Sequence, residues 1–273
     1  MGKRRRGESF GSGCVTKTDP MKRLFYLCLL FFPLTAPAVW GQEQKVAFGF
    51  AMMRIDSTYD VVPPVKVSRL MDFYRPEMER RMMEVVGYAP DEMRSFRPES
   101  PLSNFAADAL LTVAQQYTQS PVDFSLTNFG GLRASFPKGE VRLYDVYAVF
   151  PFENTLVILD LEGKDVQELF DNFARRNRME AVGNVEVEIE NGKVRQLWIA
   201  GVPFDPDRRY RVATIDFLLD GGDGVAALKK AVGVEETGVM IRDVVAQYIS
   251  MLQREGKEVA ASVDGRVKMI GYE

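Results

Sequence analysis

Residues 155–161 are the segment that most restricts how this chain can fold. They read TLVILDL, in which apolar residues follow one another without a polar residue at every second position. A strand of this composition carries apolar side chains on both faces, so we predict a strand that is buried on both sides of its sheet. The next segment, residues 163–176, places Val166, Leu169, Phe170 and Phe173 at helical spacing and predicts a helix beside that strand.

Residues 185–198 carry the strongest hairpin signal in the chain. The segments VEVEIE and KVRQLW both alternate between apolar and polar residues, and Asn191-Gly192 lies between them. An Asn-Gly pair suits a two-residue turn in which both residues have positive φ. We therefore predict a β-hairpin here.

Periodicity and turn residues predict the other elements. Apolar residues recur at helical spacing from Val65 to Val86, and the methionines of this helix are expected to make core contacts. A second helix is expected to begin at Ser100-Pro101. The remaining predicted elements are strands at 42–54, 122–127, 210–215 and 266–270, and helices at 144–150, 225–230 and 239–254. This mixture favours an α+β fold, a mixed sheet with flanking helices.

The N-terminal segment, residues 1–41, is predicted to be a secretory signal peptide. Met21-Lys22-Arg23 precedes the apolar run LFYLCLLFF, and small residues before Gln42 supply a cleavage zone. The apolar run is far shorter than the roughly 20 residues of a membrane-spanning helix, which disfavours a permanent anchor. Met21 is an alternative start of the chain, because the 20 residues before it would be an unusually long polar lead.

The signal peptide sets the expected organisation and location of the protein. We expect residues 42–84 to form an N-terminal strand, linker and helix, and residues 85–270 to form the main domain. Both cysteines, Cys14 and Cys28, lie in the segment that would be removed, so the mature chain would need no disulfide. The expected location is periplasmic or extracellular.

The composition excludes several classes of function. The chain contains no histidine, the side chain that most zinc, manganese and iron sites use and that acid–base catalysis near neutral pH favours. Its formal net charge of -3 provides no basic surface of the kind that binds nucleic acid. We expect no nucleic-acid partner and no metal or other cofactor in this chain, although a carboxylate-only Mg²⁺ or Ca²⁺ site remains possible.

Three loops that follow strands or short helices are candidate binding loops, because rigid elements position such loops. The first is NFGGLR, residues 128–133, and an ordinary glycine turn is its alternative interpretation. The second is FPFEN, residues 150–154, and the third is Phe217 with GGDG, residues 221–224. Together they offer two aromatic rings, an amide, an arginine and an aspartate, which suit a planar base and ribose hydroxyls.

The order and wording of four segments resemble the C-terminal domain of 5'-nucleotidases. These segments are SPLSNFAADA at 100–109, TNFGGLR at 127–133, VFPFENTL at 149–156 and DFLLDGGDG at 216–224. The resemblance spans roughly residues 85–270 and implies the fold of that domain. In this family, which includes periplasmic UDP-sugar hydrolases, the C-terminal domain binds the nucleoside of the substrate.

The resemblance also implies roles for individual residues. Phe152 and Phe217 would stack on the base, Asn128 would bond a base-edge nitrogen, and Asp223 would hold the ribose. Arg133 would reach toward the ribose or the phosphate. The glycines that complete the expected substrate site are Gly130, Gly131 and Gly222. The family has a further arginine shortly before the segment that matches residues 100–109, and Pro98 takes that place here, with Arg97 next to it. The resemblance therefore does not imply recognition of phosphate at this position.

The family's metal-binding half, with its histidine ligands, has no counterpart in this sequence. We therefore expect a substrate-recognition domain that is not catalytic alone and works with a separately encoded, exported metallophosphoesterase that holds the divalent metals. One alternative is a stand-alone nucleoside or nucleotide binder with no hydrolytic role. Another is a degenerate structural module that binds nothing, although it would have no packing reason to keep two turn-borne aromatic residues with polar companions.

Overall fold

The computed structural model describes residue 49, residues 51–54 and residues 65–271. The chain divides into two units, Met1–Val61 and Val62–Glu273, and every helix and strand described below lies in the second unit. The predicted signal peptide and most of the predicted strand at 42–54 lie outside the described residues. Residues 51–54 are exposed and are not in a strand, so the prediction is wrong for that end of the segment.

The described residues contain helices, strands and three short 3-10 turns. The helices are α1 (Val65–Met82), α2 (Pro101–Tyr117), α3 (Leu143–Val149), α4 (Gly163–Arg175), α5 (Asp216–Leu219) and α6 (Ile241–Arg254). The strands are β1 (Val85–Ala89), β2 (Phe124–Thr127), β3 (Gly139–Arg142), β4 (Thr155–Glu162), β5 (Ala181–Gly183), β6 (Val185–Glu190), β7 (Lys193–Ile199), β8 (Val202–Pro203), β9 (Arg209–Ile215), β10 (Gly233–Met240) and β11 (Val267–Ile270). The 3-10 turns are Phe129–Gly131, Gly222–Gly224 and Ala226–Lys230. The predicted α+β class with a mixed sheet is confirmed.

The central sheet has the strand order β10-β4-β9-β2-β5. β2 and β9 are parallel, whereas the other neighbouring strands are antiparallel. In β4, the side chains of Leu156, Val157, Ile158, Leu159 and Leu161 are all buried. The prediction of a strand buried on both faces is therefore confirmed.

Helices cover the central sheet on opposite faces. Phe124 packs its ring near Phe170 of α4, with 6.1 Å between the ring centroids, whereas Ser125 donates a hydrogen bond to the Ala107 carbonyl of α2. Successive residues of a strand point to opposite faces, so α4 and α2 lie on different sides of the sheet. Phe105 of α2 then contacts Tyr248 of α6 at 5.2 Å between centroids.

A second sheet has the order β11-β6-β7-β8 and contains the predicted hairpin. β6 and β7 are antiparallel, and Glu190 pairs with Lys193 across the turn. Asn191 and Gly192 both have positive φ, 51° and 72°. The turn thus uses the backbone conformation that an Asn-Gly pair allows, and the hairpin prediction is confirmed.

The helix predicted from Val65 to Val86 is too long at its C-terminal end. α1 ends at Met82, and Val85 and Val86 belong to β1, which pairs with β3. Gly87 explains the change, because a Cβ on it would meet Val259 at 2.6 Å and Ile249 at 2.9 Å. The close approach of Gly87 to these side chains fixes β1 in place, and tertiary packing overrides the helical period.

The expected core role of the methionines in α1 is also wrong. No residue of α1 is buried, and Met71, Met78 and the following Met83 are 51%, 57% and 53% exposed. In the described part of the chain, no helix is long and apolar enough to cross a membrane.

Two further boundaries differ near the C-terminus. Residues 226–230 form a 3-10 turn rather than an α-helix, and α6 begins at Ile241 rather than Val239. Val239 and Met240 belong to β10, an edge strand that pairs with β4 and has no counterpart among the predicted strands. Charged residues occupy the middle of β10, as is common in an edge strand, which has one unpaired side. The apolar pattern that predicts a strand is therefore missing there.

The N-terminus of α2 allows a test of helix capping. Ser100 Oγ accepts a hydrogen bond from the Ser103 amide at 3.1 Å, and Ser103 Oγ accepts one from the Ser100 amide at 2.9 Å. Ser100→Ala removes one half of this capping box, so we expect a loss of about 1 kcal/mol in the free energy of unfolding, measured with urea. Ser120→Ala, at an exposed serine after the helix, is the control. Equal stability of the two variants would contradict the capping role.

Candidate functional site

The three candidate loops meet at one end of the central sheet. Because β2 and β9 are parallel, their carboxyl ends point in the same direction, and β4 begins beside the end of β9, where Leu156 pairs with Ile215. The loop after β2 starts at Asn128, the loop before β4 ends at Asn154, and α5 starts at Asp216. Topology therefore brings together segments that are far apart in the sequence.

Asp216 connects two of these loops, although it was not among the site residues predicted from the sequence. Its Oδ2 accepts hydrogen bonds from the Thr155 amide at 3.1 Å and the Thr155 hydroxyl at 2.7 Å. Its Oδ1 accepts a bond from the Phe217 amide at 2.7 Å. One carboxylate thus ties the start of β4 to the backbone that carries Phe217.

A cavity of about 230 Å³ lies between the three loops. It is lined by Asn128, Gly130, Phe152, Asn154, Phe217 and Asp223. Phe152 and Phe217 are 45% and 42% exposed. Five of the eight predicted site residues therefore line one cavity. Asn154, which lies in the same loop as Phe152 but was not among the predicted site residues, lines it too.

The polar side of the cavity is held by a direct contact between two of these residues. Asn128 is buried, and its Nδ2 donates a hydrogen bond to Asp223 Oδ2 at 2.6 Å. The carboxylate oxygen is an acceptor, so the amide nitrogen must face it and the amide oxygen must point away. Asn128 Oδ1 is then buried without a hydrogen-bond partner.

Gly131 and Gly222 do not line this cavity, but each lets a lining side chain take its position. A Cβ on Gly131 would lie 2.7 Å from Asn128 Oδ1, and a Cβ on Gly222 would lie 2.4 Å from the Phe217 ring. Both contacts are closer than side-chain atoms tolerate. The two predicted glycines therefore act through close packing.

Arg133 is exposed and lies at the edge of the same region. Its guanidinium carbon is 6.0 Å from the centroid of the Phe152 ring, and its backbone amide donates to the Val149 carbonyl at 2.9 Å. This arginine is near a cavity wall but does not line the cavity itself.

Asp223 has an unusual backbone for a residue with a side chain. Its φ is 51°, in the left-handed region, and it stands between Gly222 and Gly224 in a 3-10 turn. Arg176 Nη1 donates a hydrogen bond to the Asp223 carbonyl. Such a conformation costs free energy and persists where the surroundings fix it, as at ligand sites. Among the described residues, no group of three or more His, Cys, Asp or Glu side chains is placed to hold a metal ion.

Glu180 is a further residue near the site that sequence reasoning did not identify. Its side chain is fully buried, and Oε2 accepts a hydrogen bond from the Phe129 amide at 2.8 Å. No local pattern marks Glu180, because its place follows from the pairing of β5 with β2, which brings the residue directly before β5 beside Asn128.

Comparison with known proteins gives one consistent relationship. Residues 85–230 match the family model described as 5'-nucleotidase, C-terminal domain. The chain is 33% identical over 143 residues to Protein UshA of Escherichia coli strain K12, covering 51% of this chain and 26% of UshA. It is 28% identical over 257 residues to the trifunctional nucleotide phosphoesterase protein YfkN of Bacillus subtilis strain 168, covering 84% of this chain and 17% of YfkN.

A solved structure has a similar fold. The 5'-nucleotidase precursor from Thermus thermophilus superimposes with a TM-score of 0.65 at 28% identity, covering 76% of this chain and 43% of that chain. The chain thus spans less than half of the length of each of these three relatives.

Adjacent glycines allow a direct test of the close packing in the site. Gly131→Ala places a methyl group 2.7 Å from Asn128 Oδ1, whereas Gly130→Ala meets no atom closer than 3.3 Å. We expect Gly131→Ala to lower the free energy of unfolding by about 1–3 kcal/mol, the usual cost of overpacking, and Gly130→Ala to cost less. Urea unfolding measures both. A Gly130→Ala variant at least as unstable as Gly131→Ala would contradict this geometry.

Proposed function

Because the chain belongs to the 5'-nucleotidase C-terminal domain family, we propose that this cavity binds the nucleoside part of a nucleotide for an exported hydrolase system. The observation that carries the proposal is the convergence of two half-exposed phenylalanine side chains on one cavity. Exposed aromatic rings on rigid loops bind planar bases by stacking. We infer that Phe152 and Phe217 provide the stacking surfaces.

The polar residues of the cavity suit the rest of a nucleoside. Asp223 offers carboxylate oxygens that can accept hydrogen bonds from the ribose hydroxyls, and Asn128 and Asn154 offer amides that can donate to and accept from a base edge. Asn128 and Asp223 are bonded to each other here, so a nucleoside would exchange this internal bond for its own bonds. Arg133, exposed beside Phe152, would extend toward the ribose or the phosphate.

We further propose that the hydrolysis is performed by a separately encoded, exported metallophosphoesterase that holds the divalent metals. The names of two relatives, a nucleotide phosphoesterase and a 5'-nucleotidase, support a role in nucleotide catabolism. These 273 residues contain no histidine, so they cannot provide the histidine ligands that the family resemblance implies. The basic and apolar pattern at 21–41 supports export to the periplasm or the exterior.

The binding proposal is tested by calorimetric titration of the purified protein with adenosine, AMP and UDP-glucose, without added metal. We expect saturable binding that Phe217→Ala weakens, because one base–aromatic stack contributes about 1–3 kcal/mol. That loss corresponds to roughly a 5- to 150-fold higher Kd.

Phe73→Ala is the matched control, because this phenylalanine on α1 is 76% exposed and does not line the cavity. The control should bind like the wild type. Absence of binding to all three ligands, or equal losses in both variants, would rule out the proposed role of Phe217.

The partner proposal is tested by AMP hydrolysis below saturation, using an exported metallophosphoesterase encoded beside this chain. Addition of the wild-type chain should raise kcat/KM, and addition of the Phe217→Ala chain should raise it less, because the nucleoside is then held less tightly. Unchanged hydrolysis in the presence of a chain that binds AMP would instead indicate a stand-alone nucleotide binder.

A further inference from the structure

We propose that Glu180 and Arg97 are positioning residues that hold the loop carrying Asn128 in its binding conformation. This inference rests on the proposed function of the cavity and concerns two residues that contact this loop at Phe129. Neither residue lines the cavity. Their contribution to binding would therefore pass through the loop.

Strand register brings Glu180 to this loop. β5 runs antiparallel to β2, with Ala181 opposite Thr127 and Val182 opposite Leu126. One step further along the same register, Glu180 stands across from Asn128. Its carboxylate can therefore reach the backbone of the next residue, and the Phe129 amide donates to Oε2 at 2.8 Å.

This hydrogen bond satisfies a group that the turn itself leaves unpaired. Phe129 is the first residue of the 3-10 turn Phe129–Gly131, and the first amides of a helical turn have no acceptor within it. Phe129 is buried, so its amide needs a protein acceptor. The carboxylate of Glu180 supplies one and fixes where the turn begins, immediately after Asn128.

Arg97 completes the support. Its Nη2 donates to both carboxylate oxygens of Glu180, at 3.1 Å and 3.2 Å, and its Nη1 donates to the Met179 carbonyl. The guanidinium carbon also lies 4.4 Å from the centroid of the Phe129 ring. Phe129 is thus held at its backbone by Glu180 and at its ring by Arg97.

A buried carboxylate needs such a partner. Glu180 is fully buried, and an isolated charge in that position would be strongly unfavourable without pairing. Arg97 is 20% exposed and provides the main charge pairing, while Arg178 Nε lies 3.4 Å from Glu180 Oε1 and is 46% exposed. Removing Arg97 would leave Glu180 paired only with the more exposed Arg178, and removing Glu180 would leave the Arg97 guanidinium without its carboxylate partner.

The position of this loop matters for binding because the side-chain amide of Asn128 has to keep its orientation. The side-chain amide of Asn128 donates to Asp223 Oδ2 at 2.6 Å on the polar side of the cavity, and a small rotation at Phe129 would move that amide. Binding groups that are oriented before the ligand arrives lose less freedom on binding. Glu180 and Arg97 would supply this orientation without contact to the ligand.

Hydrogen exchange of the unliganded full chain tests the proposal separately from nucleoside binding. In Glu180→Ala, amides in the segment 127–133 should exchange roughly tenfold faster or more, because local opening becomes easier there. The β6–β7 hairpin should exchange as in the wild type. Adenosine should bind roughly 10- to 100-fold more weakly, by analogy with residues that orient metal ligands, whose loss costs a factor of this size.

Two graded variants and one control keep the result interpretable. Glu180→Gln retains an oxygen that can accept a hydrogen bond from the Phe129 amide but loses the negative charge. Arg97→Lys retains the positive charge but loses the planar guanidinium that bonds both oxygens of Glu180 and lies over the Phe129 ring. Both should fall between the wild type and Glu180→Ala, and they decide the matter if Glu180→Ala does not fold. Glu186→Ala, at an exposed carboxylate on β6, should change nothing in segment 127–133.

Unchanged exchange in 127–133 with unchanged affinity would overturn the proposal, as would an equal acceleration in every segment, which would indicate a general loss of stability. If the wild type binds no nucleoside, the proposed function fails. The exchange comparison, made without ligand, still decides whether Glu180 and Arg97 hold the loop.

Discussion

The parallel pairing of β2 with β9 is the constraint on which the site depends. It makes the two strands end on the same side of the sheet, so the loop that starts at Asn128 and the turn that starts at Asp216 become neighbours. The antiparallel pairing of β9 with β4 then adds the segment before Thr155 at the same place. Every residue of β2 is buried, so this pairing depends on helices that cover both faces of the strand. α2 and α4 cover the two faces through Ser125 and Phe124, which are adjacent in the chain but point in opposite directions. The apolar core therefore determines where the polar loops emerge.

Much of this architecture follows from local sequence signals. β4 is visible as an apolar run, the β6–β7 hairpin as alternation around Asn191-Gly192, and the candidate loops as glycines or phenylalanines in turns that follow strands or short helices. These signals work because a few residues determine each of them. The residue types of the three loops suggested a shared ligand, and the family resemblance then assigned Phe152 and Phe217 to stacking on its base, because convergence of distant loops leaves no local pattern.

The elements that sequence reasoning missed depend on contacts from other parts of the chain. β1 is a strand because Gly87 packs against Val259 and Ile249, which are far away in the sequence. β10 is an edge strand with two charged residues in its middle, and one of them, Glu235, pairs with Arg211 of β9. Glu180 became visible as a site residue only through its register opposite β2. In each case the deciding interaction is non-local, and no window of sequence contains it.

Pre-organisation in this site comes from glycine as much as from polar contacts. The Phe217 ring lies where a Cβ on Gly222 would stand, so the turn and the ring pack against each other without a side chain between them. The hydrogen bond from the Phe217 amide to Asp216 fixes the backbone at the other end of the side chain.

A ring held in this way stays half exposed in the absence of ligand. Covering it removes apolar area from water, and little conformational freedom is lost in doing so. The free energy for binding a planar ligand would therefore come mainly from surface that the fold already keeps in place.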